Sequence, residues 1–153
     1  MPSAPRTHLP PRLLPIFYFG VAHVAFALAC LAVGLDPRGV SGFFYHSRMV
    51  AIVHLVTLGW ITTSILGSLY VVGPGALRVW IPATWLDYTA FTLVLVGTVG
   101  MVAHFWLEEY GGMAWSAMTV GMGMTLVGVH VAQCLRHASL ARAISAHIML
   151  AFV

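Results

Sequence analysis

Four long apolar stretches divide the chain, and each is long enough to cross a membrane. They run over residues 13–35, 49–72, 89–107 and 113–135. A membrane-spanning α-helix needs about 20 predominantly apolar residues, and these stretches meet that length. None of them contains an arginine, aspartate or glutamate, although the chain has 7 basic and 4 acidic residues. The pattern predicts an all-α fold, an integral membrane bundle of four transmembrane helices.

The composition agrees with this prediction and excludes several classes of protein. The 153 residues are 60% hydrophobic and 7% charged. Soluble domains contain a much larger share of charged residues. The net charge of +3 does not indicate a nucleic-acid partner, because the arginines are scattered and form no stripe. The apolar stretches contain no carboxylate, and the chain has no phosphate-binding glycine loop. Hydrolase, kinase and carboxylate-based proton-pump functions are therefore not expected.

The segments before and between the helices are short. Residues 1–12 are polar and rich in proline, as expected of a cytoplasmic N-terminal tail. In the loop between the first two helices, Phe43, Phe44 and Tyr45 are expected to anchor the chain at the membrane surface.

The C-terminal segment, residues 136–153, contains the start of a fifth apolar run. This run begins at Ile144 and stops at Val153, which is half the length that a span needs. It is either a short surface helix or the beginning of a span in a chain that has been cut.

The arginines predict the orientation of the bundle. Cytoplasmic loops of membrane proteins are enriched in basic residues. Placing the N-terminus in the cytoplasm puts five arginines inside, namely Arg6, Arg12, Arg78, Arg136 and Arg142, and two outside, Arg38 and Arg48. We therefore expect a multi-pass protein of a bacterial-type inner membrane with a cytoplasmic N-terminus.

Small residues at a spacing of four predict where the helices pack closely. The second helix offers Gly59, Thr63 and Gly67 on one face. The fourth offers two such rows, Ala117 with Gly121 and Thr125, and Gly128 with Ala132.

Each predicted span contains one histidine, and these are the candidate functional residues. An imidazole inside a membrane is costly unless it is hydrogen-bonded, paired or bound to a metal. His54 and His104 are predicted at similar depth near the outer side, and His130 and His147 near the inner side. His23 falls near the midplane without an obvious partner.

Two imidazoles from different helices at one depth are what a six-coordinate haem b requires. We therefore predict His54 and His104 as ligands of a haem iron, and His130 with His147 as a second site, giving one haem b or two. Two alternatives stay open. Each histidine could instead bond a neighbouring helix backbone, and His130, Cys134 and His137 could ligate zinc or copper from one helix face.

A resemblance to a known family adds to this picture. Residues 54–70 read HLVTLGWITTSILGSLY, a stretch that resembles the second transmembrane helix of the haem-copper oxidase subunit I superfamily and its short relatives. The resemblance implies that this helix enters from the outer side and that His54 ligates a low-spin haem. It also implies that the opposite ligand is His104, His130 or a residue of a partner subunit.

The resemblance covers one helix, and the later helices that hold the remaining haem and copper ligands of that superfamily are lacking. Oxygen or nitric oxide reduction by this chain alone is therefore not expected. The sequence favours a haem b binding membrane protein that transfers electrons, as a small subunit or partner of a respiratory-type redox complex rather than a stand-alone enzyme.

Expected partners are the lipid bilayer, other membrane subunits or a second copy, and quinol or a c-type cytochrome. One alternative is an accessory or assembly subunit of a larger respiratory or photosynthetic complex, with no cofactor and with its histidines merely hydrogen-bonded. Another is a metal or proton pathway that uses the imidazoles as relays.

Overall fold

The computed structural model describes residues 12–43 and 45–152, and these residues form helices and no strands. Phe44, Val153 and most of the predicted N-terminal tail lie outside the described residues. The helices are α1 (Leu13–Leu35), α2 (Pro37–Val40), α3 (Ser47–His54), a π-helix (Leu55–Thr62), α4 (Thr63–Gly75), α5 (Trp85–Leu107), α6 (Met113–Arg136) and α7 (Arg142–Leu150).

Four of the helical segments are long and apolar enough to cross a membrane. They are α1, the continuous stretch Ser47–Gly75, α5 and α6. The chain is thus an all-α, multi-pass membrane bundle, which confirms the predicted fold class. The third span begins at Trp85 rather than at residue 89, because Thr84 and Asp87 form a capping box at the start of α5.

The second span changes its helical geometry in the middle. Its central eight residues, Leu55–Thr62, form a π-helix between α3 and α4. Threonine hydroxyls bond backbone carbonyls along this segment. Thr57 Oγ1 donates to the Val53 carbonyl at 2.8 Å, and Thr62 Oγ1 donates to the Thr57 carbonyl at 2.9 Å. These bonds satisfy polar groups within the span, where water is absent.

The second span packs closely against α1 through its predicted face of small residues. A Cβ added at Gly59 would lie 2.6 Å from Ala25 Cβ, and one added at Gly67 would lie 2.9 Å from Tyr18 Cβ. Thr63, between them, is buried. The absence of side chains at the two glycines is therefore what allows the helices to approach.

The fourth span packs against α5, but not through the predicted row that contains Gly121. A Cβ at Gly97 would lie 2.7 Å from the Ser116 carbonyl oxygen, and one at Gly123 would lie 2.9 Å from the Ala90 carbonyl oxygen. The predicted row of Ala117, Gly121 and Thr125 is exposed instead. Spacing alone identified two candidate rows on α6, and only the neighbouring helix decides which face is covered.

The fifth apolar run forms the short helix α7, which has no buried residue of its own. After α7 the chain turns back, and the Phe152 ring lies 3.2 Å from the position of a Cβ at Gly128. The C-terminal segment therefore covers part of α6 in the described structure.

We expect Gly97→Ala to destabilise the bundle by about 1–3 kcal/mol, because the new methyl group meets the backbone of α6 and cannot displace it freely. Gly121→Ala is the matched control, since nothing lies within 4 Å of that position. Thermal unfolding in detergent checks the difference. Equal melting temperatures for the two variants would contradict the close packing of α5 on α6.

Candidate functional site

The two ends of the bundle hold different groups of functional side chains. At one end, the Ser47 hydroxyl donates to Glu108 Oε1 at 2.8 Å, which joins the start of the second span to the end of the third. The Arg48 guanidinium lies 5.8 Å from the centre of the Trp106 ring at the same end. We call this the His54 end. The opposite end, where α5 begins and α4 and α6 finish, is the Asp87 end.

His54 is the last residue of α3 and immediately precedes the π-helix. Its Nδ1 donates to the Val50 carbonyl at 2.7 Å. Its ring packs against Phe105, with 4.9 Å between the ring centres. The side chain is partly buried, and the Nδ1 bond leaves the Nε2 lone pair available for a ligand.

His104 lies at the same end of the bundle but has different neighbours. Its Nδ1 donates to the Glu109 carbonyl at 2.5 Å. Its ring lies against Gly112, where an added Cβ would be 2.4 Å from Nε2. The ring therefore belongs to the turn between α5 and α6, and it is Phe105 that faces His54. The structure does not join the two predicted haem ligands through a ring contact or a hydrogen bond.

The structure likewise shows no hydrogen bond between the other predicted pair, His130 and His147. His147 is exposed on α7, and its Nδ1 donates to the Ala143 carbonyl at 2.7 Å. His23 makes the same kind of bond with the Phe19 carbonyl at 2.6 Å and is exposed on α1. His130 instead belongs to a buried polar cluster at the Asp87 end.

A large apolar groove of about 590 Å³ lies between α1, the π-helix and α5. The π-helix contributes Leu55, directly after His54, and Gly59. Its other lining residues are Gly20, Val21, Val24, Ala25, Leu28, Leu95, Thr98, Val99, Val102, Ala103, Trp106 and Leu107. An apolar slot of this size suits a flat, apolar macrocycle such as haem. No histidine is among the described residues that line it, and His54 immediately precedes Leu55, which does.

Asp87 is the centre of a polar network of four hydrogen bonds, and the residue is 1% exposed. Oδ1 accepts from the Tyr70 hydroxyl at 2.7 Å and from His130 Nδ1 at 2.6 Å. Oδ2 accepts from the Thr84 backbone N–H at 2.7 Å and from its hydroxyl at 2.6 Å. The four donors compensate the cost of burying the charge, and they tie α4, α5 and α6 together.

The sequence-based expectation of spans without a carboxylate was therefore wrong. Asp87 lies two residues before the apolar stretch that was taken as the third helix, so a hydropathy criterion left it in a loop. The signal that could have found it is the pair Thr84 and Asp87, since a threonine followed three residues later by an acid is typical of a helix start.

A buried tyrosine lies on one side of this network and a cavity on the other. Tyr18 is fully buried with its ring centre 6.3 Å from that of Tyr70, and its hydroxyl has no partner among the described residues. On the other side, His130 lines a cavity of about 550 Å³ together with Cys134 and His137. In the described part of the chain, no three histidine, cysteine or acidic side chains come close enough to hold a metal ion, so the zinc or copper alternative finds no support.

We expect Asp87→Ala to destabilise the protein by about 3–5 kcal/mol, because His130, Tyr70 and Thr84 lose their buried acceptor together. Asp36→Ala is the matched control. Asp36 is exposed and accepts one bond, from the Gly39 N–H at 2.9 Å, so its loss should cost about 1 kcal/mol. Unfolding by denaturant in mixed micelles measures both. Similar losses for the two variants would contradict a role for Asp87 in joining the helices.

Comparison of the chain with protein-family models, with curated proteins and with solved structures finds no match in any of the three.

Proposed function

We propose that this chain is a haem b binding membrane protein that transfers electrons, as a small subunit or partner of a respiratory-type redox complex. The observation that carries the proposal is the position of His54. Its partly buried imidazole stands where α3 becomes the π-helix, next in sequence to a residue that lines the apolar groove.

Three features support His54 as the haem ligand. π-helical segments are rare and occur frequently at functional sites. The Val50 carbonyl and the Phe105 ring hold the imidazole in place, which is the kind of support that ligating histidines receive in proteins. The resemblance of residues 54–70 to the second helix of the oxidase superfamily points to the same residue.

Haem b, when bound, supplies a one-electron couple between ferric and ferrous iron. The chain's own contribution is to orient His54 and to keep water away from the groove. Small residues form part of the groove wall: Gly20 has no side chain, and Ala25 packs directly on Gly59 where α1 meets the π-helix. A low-dielectric environment of this kind influences the reduction potential of the bound group.

In this proposal a second ligand to the haem iron would come from a second polypeptide, either another membrane subunit or another copy of the chain. His104 is turned toward Gly112 and His130 toward Asp87, so neither faces His54 in the described structure. The proposal includes one haem rather than two. In the second predicted pair, His130 is hydrogen-bonded to Asp87 and His147 is exposed. Quinol or a c-type cytochrome is the proposed electron donor.

The proposal includes a bacterial-type inner membrane and a cytoplasmic N-terminus. This orientation places the Asp87 end, with Arg78, Arg136 and Arg142, on the cytoplasmic side. Alkaline phosphatase fused after Gly42 should therefore be active, and the same enzyme fused after Arg78 should be inactive, because it folds only outside the cytoplasm. The reverse pattern would overturn the orientation.

The test of haem binding is a reduced-minus-oxidised visible spectrum of the protein purified in detergent from haem-replete cells, with its partners retained. We expect the bands of a six-coordinate b-type haem, and we expect His54→Ala to remove them. His23→Ala is the matched control, because that imidazole makes the same backbone bond but is exposed. Loss of the bands in His23→Ala but not in His54→Ala would overturn the assignment.

Two further results would change the proposal in defined ways. His104→Ala should leave the haem spectrum intact. Loss of the haem bands in this variant would show that His104 turns to become the second ligand. A colourless protein from haem-replete cells would replace the proposal with the accessory-subunit function, in which the histidines serve only as hydrogen-bonding groups.

A further inference from the structure

The cavity at the Asp87 end is lined by side chains that donate hydrogen bonds. It lies between residues 78–82 and the last turns of α6, and its volume is about 550 Å³. The lining residues with polar side chains are Arg78, Trp80, His130, Gln133, Cys134, His137 and Ser139. Neither an aspartate nor a glutamate is among the described residues that line it. The cavity is therefore suited to an anion.

The buried carboxylate behind the cavity sets the role of His130. Asp87 accepts from His130 Nδ1 at 2.6 Å, so Nε2 is the ring nitrogen left for the cavity. This bond holds the His130 ring in the cavity wall.

Arg78 is presented at the cavity by an unusual backbone conformation. Its φ of 55° lies in the left-handed region, which non-glycine residues seldom occupy. The following residue fixes this geometry: Val79 is buried, and its N–H donates to the Gly73 carbonyl at 2.9 Å. Strained backbone that the surrounding structure holds in place occurs frequently at ligand sites. The exposed arginine thus stands on a well-anchored segment.

From these observations we infer that the cavity binds a phosphate group, and that its source is the head group of an anionic phospholipid. Arg78 supplies the charge and a fork of N–H donors that matches phosphate oxygens. His137, Gln133 and Ser139 supply further donors around it. The cavity also lies at the end of the spanning helices beside Trp80, where lipid head groups lie.

The experiment uses the full chain in detergent and measures binding of short-chain phosphatidylglycerol by native mass spectrometry. Diacylglycerol with the same acyl chains is the control ligand, because it lacks the phosphate. We expect the phosphatidylglycerol complex to be bound at least about tenfold more tightly, as a charge-assisted contact implies.

Arg78→Gly is the decisive variant, because glycine adopts the left-handed conformation without strain and should not unfold the site. We expect it to weaken phosphatidylglycerol binding about tenfold, and His137→Gln to weaken it less. Arg136→Gln is the matched control, since Arg136 is exposed at the same end but does not line the cavity. It should leave binding unchanged.

Inorganic phosphate distinguishes the two sources of the group. Weak competition by free phosphate supports the lipid as the ligand. Competition at the same concentration as the lipid would keep the phosphate site but overturn the lipid as its source. Equal binding of phosphatidylglycerol and diacylglycerol, or equal effects of Arg78→Gly and Arg136→Gln, would overturn the site itself.

Discussion

The buried carboxylate of Asp87 is the constraint on which one end of this bundle depends. A charge placed inside a membrane protein must find all its partners within the protein, because lipid offers none. Asp87 finds them on α4, on α6 and in the capping box of α5. The register of these helices at that end is consequently set by hydrogen bonds with fixed geometry, whereas apolar contacts alone would allow them to slide.

The opposite end is held together by other means. Gly97 admits the backbone of α6, Gly59 admits Ala25 of α1, and the bond from Ser47 to Glu108 joins the start of the second span to the end of the third. His54 sits in this region, where the second span departs from α-helical geometry. The bundle thus combines a polar, geometrically fixed end with a region in which a large apolar groove opens between α1, the π-helix and α5. A cofactor with an apolar body and a polar lipid head group would be received in different regions of the bundle.

Hydropathy was sufficient to predict the four spans, because charged residues are excluded from lipid and the four long apolar stretches are therefore visible in the sequence. It could not place Asp87, because a paired carboxylate near a helix start looks the same in a sequence as a solvated one in a loop. The positions of His54 and His104 along their helices correctly placed both residues at one end of the bundle. Position along a helix does not specify the direction in which a side chain points around the helix axis. Phe105 faces His54, and the neighbouring His104 therefore points elsewhere. The π-helix left no trace in the apolar pattern, since nearly every residue around it is apolar.

The π-helical segment also bears on how the second span fits its bilayer. That span contains 29 residues, against 23 in α1. As an uninterrupted α-helix it would be about 43 Å long, against about 35 Å for α1. The π-helical turns are wider and contain more residues per ångström of helix length than α-helical turns. The span is therefore shorter than its residue count implies. The π-helix therefore reduces the excess length of this span over α1, and with it the tilt that hydrophobic mismatch would otherwise require.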